Sequence, residues 1–148
     1  MRFGLLGTGH WAADTHGATL ATHPTAELVA VWGRDPAKAA TVADQLGARA
    51  YDDVEALFAD VDAVAIALPP DVQAGLAVRA ARAGCHLLLD KPLALTVEAA
   101  DEVVEAVDKA GVASLVFFTN RFRPEIEKFL ANANRVGGWY AGRGVMHA

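Results

Sequence analysis

Arg2-Phe3-Gly4-Leu5-Leu6-Gly7-Thr8-Gly9-His10-Trp11-Ala12 is the stretch that decides the fold. Its first five residues read as a short buried strand, and the glycines follow without a gap, where a strand must turn sharply into a helix. The pattern is G-x-G-x-x-A, a dinucleotide-binding fingerprint. Gly7 permits the tight turn, Gly9 lets the backbone approach a pyrophosphate, and Ala12 is small enough for the helix to lie close against the strand. Thr8, His10 and Trp11 stand between them, so the whole run from Gly7 to Ala12 is expected to line the cofactor. The helix start faces the phosphates with unpaired N–H groups.

Downstream of the fingerprint, a helix is expected over residues 9–21, stopped by His23-Pro24. Glu27-Leu28-Val29-Ala30-Val31-Trp32 reads as the second strand. In a strand-helix-strand nucleotide unit, an acid near the end of this strand usually accepts hydrogen bonds from the adenine ribose. Here the end is Trp32-Gly33-Arg34-Asp35, with glycine where the acid is expected. Glycine leaves room for a 2'-phosphate, and Arg34 offers it a fork of donors, which favours NADP and leaves NAD possible. Asp35 is the competing ribose contact, although Asp35-Pro36 also reads as the N-cap and first residue of the next helix.

That helix runs to Leu46, and Gly47 closes it. A brief strand ends at Tyr51, and Asp52 with Glu55 reads as a capping box for a short helix. Residues 63–68 form a continuous apolar run of the kind covered on both faces. Leu68-Pro69-Pro70 ends it at the carboxyl edge of the sheet, where doubly wound folds bind their ligands. Gln73 falls in the first turn of the following helix, toward the cofactor end.

Residues 85–89 form the fifth strand, and Asp90-Lys91-Pro92 stands at its mouth. The long stem of Lys91 carries a point charge toward the nicotinamide ribose, a substrate hydroxyl, or both. Cys85 has no accompanying base and reads as an inert core thiol. Thr96 caps a helix whose packed face is read as Val97, Ala100, Val103, Val104 and Val107, and residues 112–118 make a sixth strand. Alternating strands and helices in this number predict an α/β fold, a doubly wound, mostly parallel sheet in the order 3-2-1-4-5-6. Asn120 and Arg121 occupy another strand end on the ligand side. A helix after Pro124 is expected to turn Ile126, Phe129 and Leu130 inward.

Composition sets limits on function. With 148 residues, 53% hydrophobic and a formal charge of -5, the chain suits one compact domain and lacks the basic stripe of a nucleic-acid binder. One cysteine supplies neither a disulfide framework nor a metal cluster, and no metal site is expected. The absence of a signal core or a long apolar run predicts a cytoplasmic protein with no membrane partner.

Taken together these residues resemble the N-terminal, NAD(P)-binding Rossmann domain of the oxidoreductase family named for glucose-fructose oxidoreductase, inositol dehydrogenase and the rhizopine-catabolism protein. The resemblance rests on Gly4-Leu5-Leu6-Gly7-Thr8-Gly9, Asp62-Ala63-Val64 with Pro69-Pro70, Ala83-Gly84 leading into Asp90-Lys91-Pro92, and Asn120-Arg121-Phe122. It implies that Lys91, the lysine of a Glu-Lys-Pro motif, contacts the nicotinamide ribose and substrate and assists proton transfer. Asp90 replaces the usual glutamate, and Gln73 stands where the family commonly has histidine. The implied activity is hydride transfer between nicotinamide and a sugar, cyclitol or related polyol. Residues 1–122 are then the dinucleotide-binding domain. Residues 123–148 are expected to be a linker helix and the first strand of a C-terminal substrate and oligomerisation domain absent from this sequence, whose lack leaves the chain inactive and through which the parent forms a homo-oligomer. The alternatives are a non-redox, regulatory dinucleotide-binding protein, or an enzyme like biliverdin reductase or dihydrodipicolinate reductase with a non-sugar substrate.

Overall fold

The computed structural model describes residues 1–137 and divides into two units, the first ending at Phe117 and the second beginning at Phe118. The expected strand within residues 138–148 lies outside the described residues.

In the first unit six strands, β1 (Arg2–Leu6), β2 (Glu27–Trp32), β3 (Arg49–Tyr51), β4 (Ala63–Ile66), β5 (His86–Leu89) and β6 (Ser114–Val116), form one sheet in the order 3-2-1-4-5-6. Every pairing is parallel. Parallel strands need crossovers, and the helices supply them: α1 (Ala18–Thr22), α2 (Pro36–Leu46), α3 (Val54–Asp60), α4 (Pro70–Arg82) and α5 (Val97–Ala110).

Adjacent strand residues point to opposite faces, and the core divides accordingly. Leu6, Val64, Ile66 and Leu89 pack with Leu57, Leu76, Ala77 and Val103 from α3, α4 and α5. Leu5, Val31 and Ala65 pack on the other face with Ala12, Leu20, Val42 and Ala43. The central strands are apolar at consecutive positions because both faces are covered.

Several local expectations are corrected. The helix after the fingerprint begins as a π-helical segment, Trp11–Gly17, before continuing as α1. The wider turn puts Ala12, His16 and Gly17 together on the buried side, at spacings of four and five. Asp53, not Asp52, caps α3: its Oδ1 accepts from the Glu55 amide at 3.1 Å. The Asp52 carbonyl is turned instead to accept from the indole Nε1 of Trp32. On α5, Val97 and Val104 are 70% and 51% exposed, and the packed stripe runs through Ala99, Val103, Ala106 and Val107. Of the expected face, Val103 and Val107 pack and Ala100 is half-buried, whereas Val97 and Val104 turn to solvent.

The second unit holds a 3-10 turn, Thr119–Phe122, and helix α6 (Pro124–Val136). Ile126 and Leu130 are half-buried, whereas Phe129 is 61% exposed, against the expectation that it faces inward. Among the described residues no helix is long and apolar enough to cross a membrane.

Candidate functional site

The loops leaving the strands are held in line along the carboxyl edge of the sheet. Gly7 N–H donates to the last carbonyl of β2 (Trp32), Ala67 to that of β1 (Leu6), Asp90 to that of β4 (Ile66), and Phe117 to that of β5 (Leu89), at 2.9, 2.9, 3.2 and 2.7 Å. Each turn is thus pinned to its neighbour at the point where the chain leaves the sheet.

The two fingerprint glycines do different work. Gly7 has φ +133°, and a β-carbon there would stand 2.5 Å from the Ala67 carbonyl oxygen and 3.1 Å from Ala12 Cβ, so the turn itself demands glycine. Gly9 is exposed, and a β-carbon on it would meet nothing within 4 Å. Protein packing does not require a bare backbone at Gly9. Thr8 is half-buried, and His10 and Trp11 stand exposed at the helix entry, with His10 paired to Asp14.

At the end of β2, Gly33 is buried and Arg34 is exposed. No carboxylate lies within ion-pair distance of Arg34 among the described residues. Asp35 caps α2, with Oδ1 accepting from the Ala37 and Lys38 amides at 3.1 and 3.2 Å. After β4, Leu68 packs against the core, Pro69 is exposed, and Pro70 opens α4.

Gln73 is fully buried beneath the Asp90-Lys91-Pro92 turn, a position the sequence pattern did not reveal. Its Nε2 lies 2.7, 3.1 and 3.2 Å from the carbonyl oxygens of Asp90, Pro92 and Leu93, and its Oε1 accepts from the Asp90 amide at 3.0 Å. The direct cofactor contact expected of Gln73 meets an amide already engaged at both ends with the chain that carries Lys91. The Lys91–Pro92 peptide is cis. Lys91 is exposed, and among the described residues its ammonium has no ion-pair partner.

Asp90 faces inward instead of pairing with Lys91. Its Oδ1 accepts from the Lys91 amide at 2.7 Å, and its Oδ2 stands 3.8 Å from Nε2 of buried His16. Trp11 and Phe117 approach the His16 ring edge-on. Burial pushes the His16 imidazole below its usual pKa, against the opposite pull of the Asp90 carboxylate. Sequence reasoning missed His16, which lies four residues beyond Ala12 on the buried face of the helix. Cys85 is buried, its thiol donating to the Phe58 carbonyl at 3.4 Å, and burial pushes its pKa up, as befits a core residue. Asn120 and Arg121 are both exposed in the 3-10 turn of the second unit.

A glycine turn between β1 and a helix, a strand order reversing beside it, and a lysine at the mouth of β5 define a dinucleotide-binding α/β unit of the Rossmann kind. Residues 1–118 match the model of the Gfo/Idh/MocA group, described as an oxidoreductase family with an NAD-binding Rossmann fold, and the chain belongs to that family. Relatives include D-xylose 1-dehydrogenase (NADP(+)) 2 of Haloferax volcanii, 39% identical over 86% of this chain and 40% of its own length. Inositol 2-dehydrogenase of Rhizobium meliloti is 37% identical over 84% of this chain and 38% of its own. Among solved structures, UDP-N-acetylglucosamine 3-dehydrogenase of Acidithiobacillus ferrooxidans superposes with a TM-score of 0.83 at 32% identity, covering 89% of this chain and 43% of that one. The WlbA dehydrogenase of Chromobacterium violaceum, solved with NADH and UDP-GlcNAcA, gives 0.84 at 29%, covering 91% and 40%. The chain therefore spans about two fifths of the length of the relatives it matches.

Proposed function

We propose that this chain is the cofactor-holding part of an oxidoreductase that moves a hydride between nicotinamide and a hydroxyl-bearing carbon of a sugar, cyclitol or related polyol, with NADP preferred over NAD. The observation that carries the reading is Gly9, bare where the protein has no need of it. The residues present fit the dinucleotide: the Gly7–Ala12 turn takes the pyrophosphate, Gly33 and Arg34 the adenosine end, and Leu68, Pro69 and Lys91 the nicotinamide end. Asp35, Asn120 and Arg121 stay with the proposed cofactor contacts, and Gln73 and Asp90 serve by holding the Lys91 turn.

The nicotinamide supplies the hydride acceptor or donor. The chain's own contribution is to bind it, fix its orientation and present a cation beside it. An ammonium held at the mouth of β5 favours a developing alkoxide and hydrogen-bonds a substrate hydroxyl, which makes Lys91 the residue to assist proton transfer. Residues 1–122 form the cofactor domain in this reading. Residues 123–148 lead toward a substrate domain, which also provides a homo-oligomer interface. Hydride transfer needs both reactants held in contact, so the substrate domain in this reading brings the reacting carbon to the nicotinamide that these residues hold.

Calorimetry with NADP and NAD tests the cofactor reading. NADP is expected to bind more tightly, and Arg34→Ala to cost it about 1–3 kcal/mol while sparing NAD. Tighter binding of NAD by the unaltered chain would reject the preference. Robust turnover of a sugar or polyol panel by the verified 148-residue chain would show that the reading of Lys91 as half of a site is wrong.

A further inference from the structure

We propose that His16 is a positioning residue for Lys91: its buried Nε2–H is the donor for Oδ2 of Asp90, whose Oδ1 accepts from the Lys91 amide, so that one carboxylate ties the helix after the glycine loop to the root of Lys91. The functional part of the inference rests on the reading of Lys91 as a residue of a dinucleotide site.

Among the described residues, Nε2 of His16 is the one buried side-chain nitrogen or oxygen with no hydrogen-bond partner. It faces the one polar atom of Asp90 that the described chain leaves unused. The Asp90 amide donates to the Ile66 carbonyl at 3.2 Å and to Gln73 Oε1 at 3.0 Å. Its carbonyl accepts from Gln73 Nε2 at 2.7 Å, and Oδ1 accepts from the Lys91 amide at 2.7 Å. Oδ2 is left, 3.8 Å from Nε2. Two groups that each lack a partner stand face to face, and a buried polar atom is costly to leave unpaired.

The meeting stabilises the turn when the proton sits on Nε2. An ionised carboxylate only accepts, and a neutral imidazole carries one N–H, so the other tautomer would turn a lone pair toward Oδ2. Burial keeps the ring neutral against the pull of Asp90. Trp11 and Phe117, whose rings stand edge-on at 6.2 and 5.6 Å, bring no charge and hold the imidazole in place. The terminal torsion of an aspartate is broad, so the approach of roughly 1 Å that a hydrogen bond needs comes from the carboxylate swinging toward the ring. A carboxylate held at both oxygens fixes the direction of the Lys91 N–H, and with it the backbone from which the ammonium projects.

The test uses the 148-residue chain, isotope-labelled at the histidine nitrogens. In long-range proton–nitrogen spectra above neutral pH, His16, identified as the signal missing from His16→Gln, should be neutral with its proton on Nε2. Asp90→Ala leaves the ring in place and should release that tautomer preference, which keeps the test open if a variant at position 16 fails to fold. Hydrogen exchange at the Lys91 amide should be about tenfold faster in His16→Phe, which fills the space without a donor, and within about threefold of the unaltered chain in H16Q, whose amide keeps one. Calorimetry should show NADP binding about tenfold weaker in H16F, with no further loss when H16F is added to Lys91→Ala. A proton on Nδ1 in the unaltered chain, an Nε2–H preference unchanged in D90A, exchange in H16Q as fast as in H16F, or an affinity loss that persists in full on K91A would each overturn the proposal. Failure of the unaltered chain to bind NADP or NAD would overturn the dinucleotide reading separately, since the tautomer and the amide exchange are measured without ligand.

Discussion

His16 Nε2 faces Asp90 Oδ2 across 3.8 Å, beyond hydrogen-bond reach, and among the described residues it has no hydrogen-bond partner. The pair brings together two chain segments at the carboxyl edge of the sheet: the π-helical turn after the glycine loop and the turn that carries Lys91. Asp90 is one methylene shorter than the glutamate of the related motif, and its other oxygen is held by the Lys91 amide. The imidazole is 97% shielded from solvent and stays neutral because desolvation outweighs the carboxylate's pull.

That balance fixes the sign of a pH effect. The folded pKa of His16 lies below the unfolded value of 6.5, so between the two the unfolded chain binds more protons. His16 thus contributes stability that is present above pH 6.5 and is lost as pH falls through the depressed folded pKa. Denaturant midpoints measured from about pH 7.5 downward should fall for the unaltered chain and fall less for His16→Gln. Parallel profiles for the two proteins would show that His16 is not the titrating group.

Gln73 should matter to the turn more than to any ligand. Removing its amide in Gln73→Ala leaves the buried carbonyl of Asp90 without its 2.7 Å donor, at an expected cost of about 1–3 kcal/mol in denaturant unfolding. Gln73→Glu turns an acceptor toward three carbonyls and should be worse at neutral pH, recovering as the carboxyl is protonated. Unchanged stability of Q73A with weakened dinucleotide binding would instead assign Gln73 to the ligand.

Asp35 separates capping from ribose recognition. Its Oδ1 holds two amides of α2, so Asp35→Ala should cost about 1 kcal/mol of stability, and Asp35→Asn much less. If the cap is its whole role, both variants keep the NAD and NADP affinities of the unaltered chain. A loss of NAD affinity in the stable Asn variant would identify a ribose contact.

The sheet was legible because its signals are local and mutually consistent. Leu5 and Leu6 announce a strand buried on both faces, Gly7 its abrupt end, and Asp35-Pro36 and Thr96 the helix starts that the structure confirms. The Asp90-Lys91-Pro92 turn was legible as a place but not as a geometry. Gln73 lies 17 residues from Asp90, and nothing in its neighbours says that its amide serves a distant turn. His16 was illegible for a different reason. A regular helix already sets His16 on the face of Ala12, four residues on, but a lone histidine on a helix face does not announce its burial, and no residue type marks the π turn that adds Gly17 to that side. The face of α5 was read correctly at Val103 and Val107 and wrongly at Val97 and Val104, which are as apolar as the residues that pack, so only tertiary contact discriminates among them.

The contrast between Gly7 and Gly9 yields the sharpest test of the site. Both belong to the fingerprint, and a purely structural glycine turn would demand both for folding. The geometry says otherwise. Gly7→Ala must place a β-carbon against the Ala67 carbonyl at a φ that side-chain-bearing residues rarely adopt, so the variant should lose about 1–3 kcal/mol of stability or more. Gly9→Val adds its side chain to open space at an ordinary φ and should alter stability by no more than about 0.5 kcal/mol. The added volume stands where the backbone is expected to meet a pyrophosphate, so the same variant should bind NADP and NAD at least about tenfold more weakly. Thermal melts beside calorimetric titrations separate the two effects in one pair of proteins. A Gly9→Val chain that melts normally and binds both dinucleotides as well as the unaltered chain would remove the pyrophosphate from this turn. A Gly9→Val chain that unfolds would show that the bare backbone serves the fold after all.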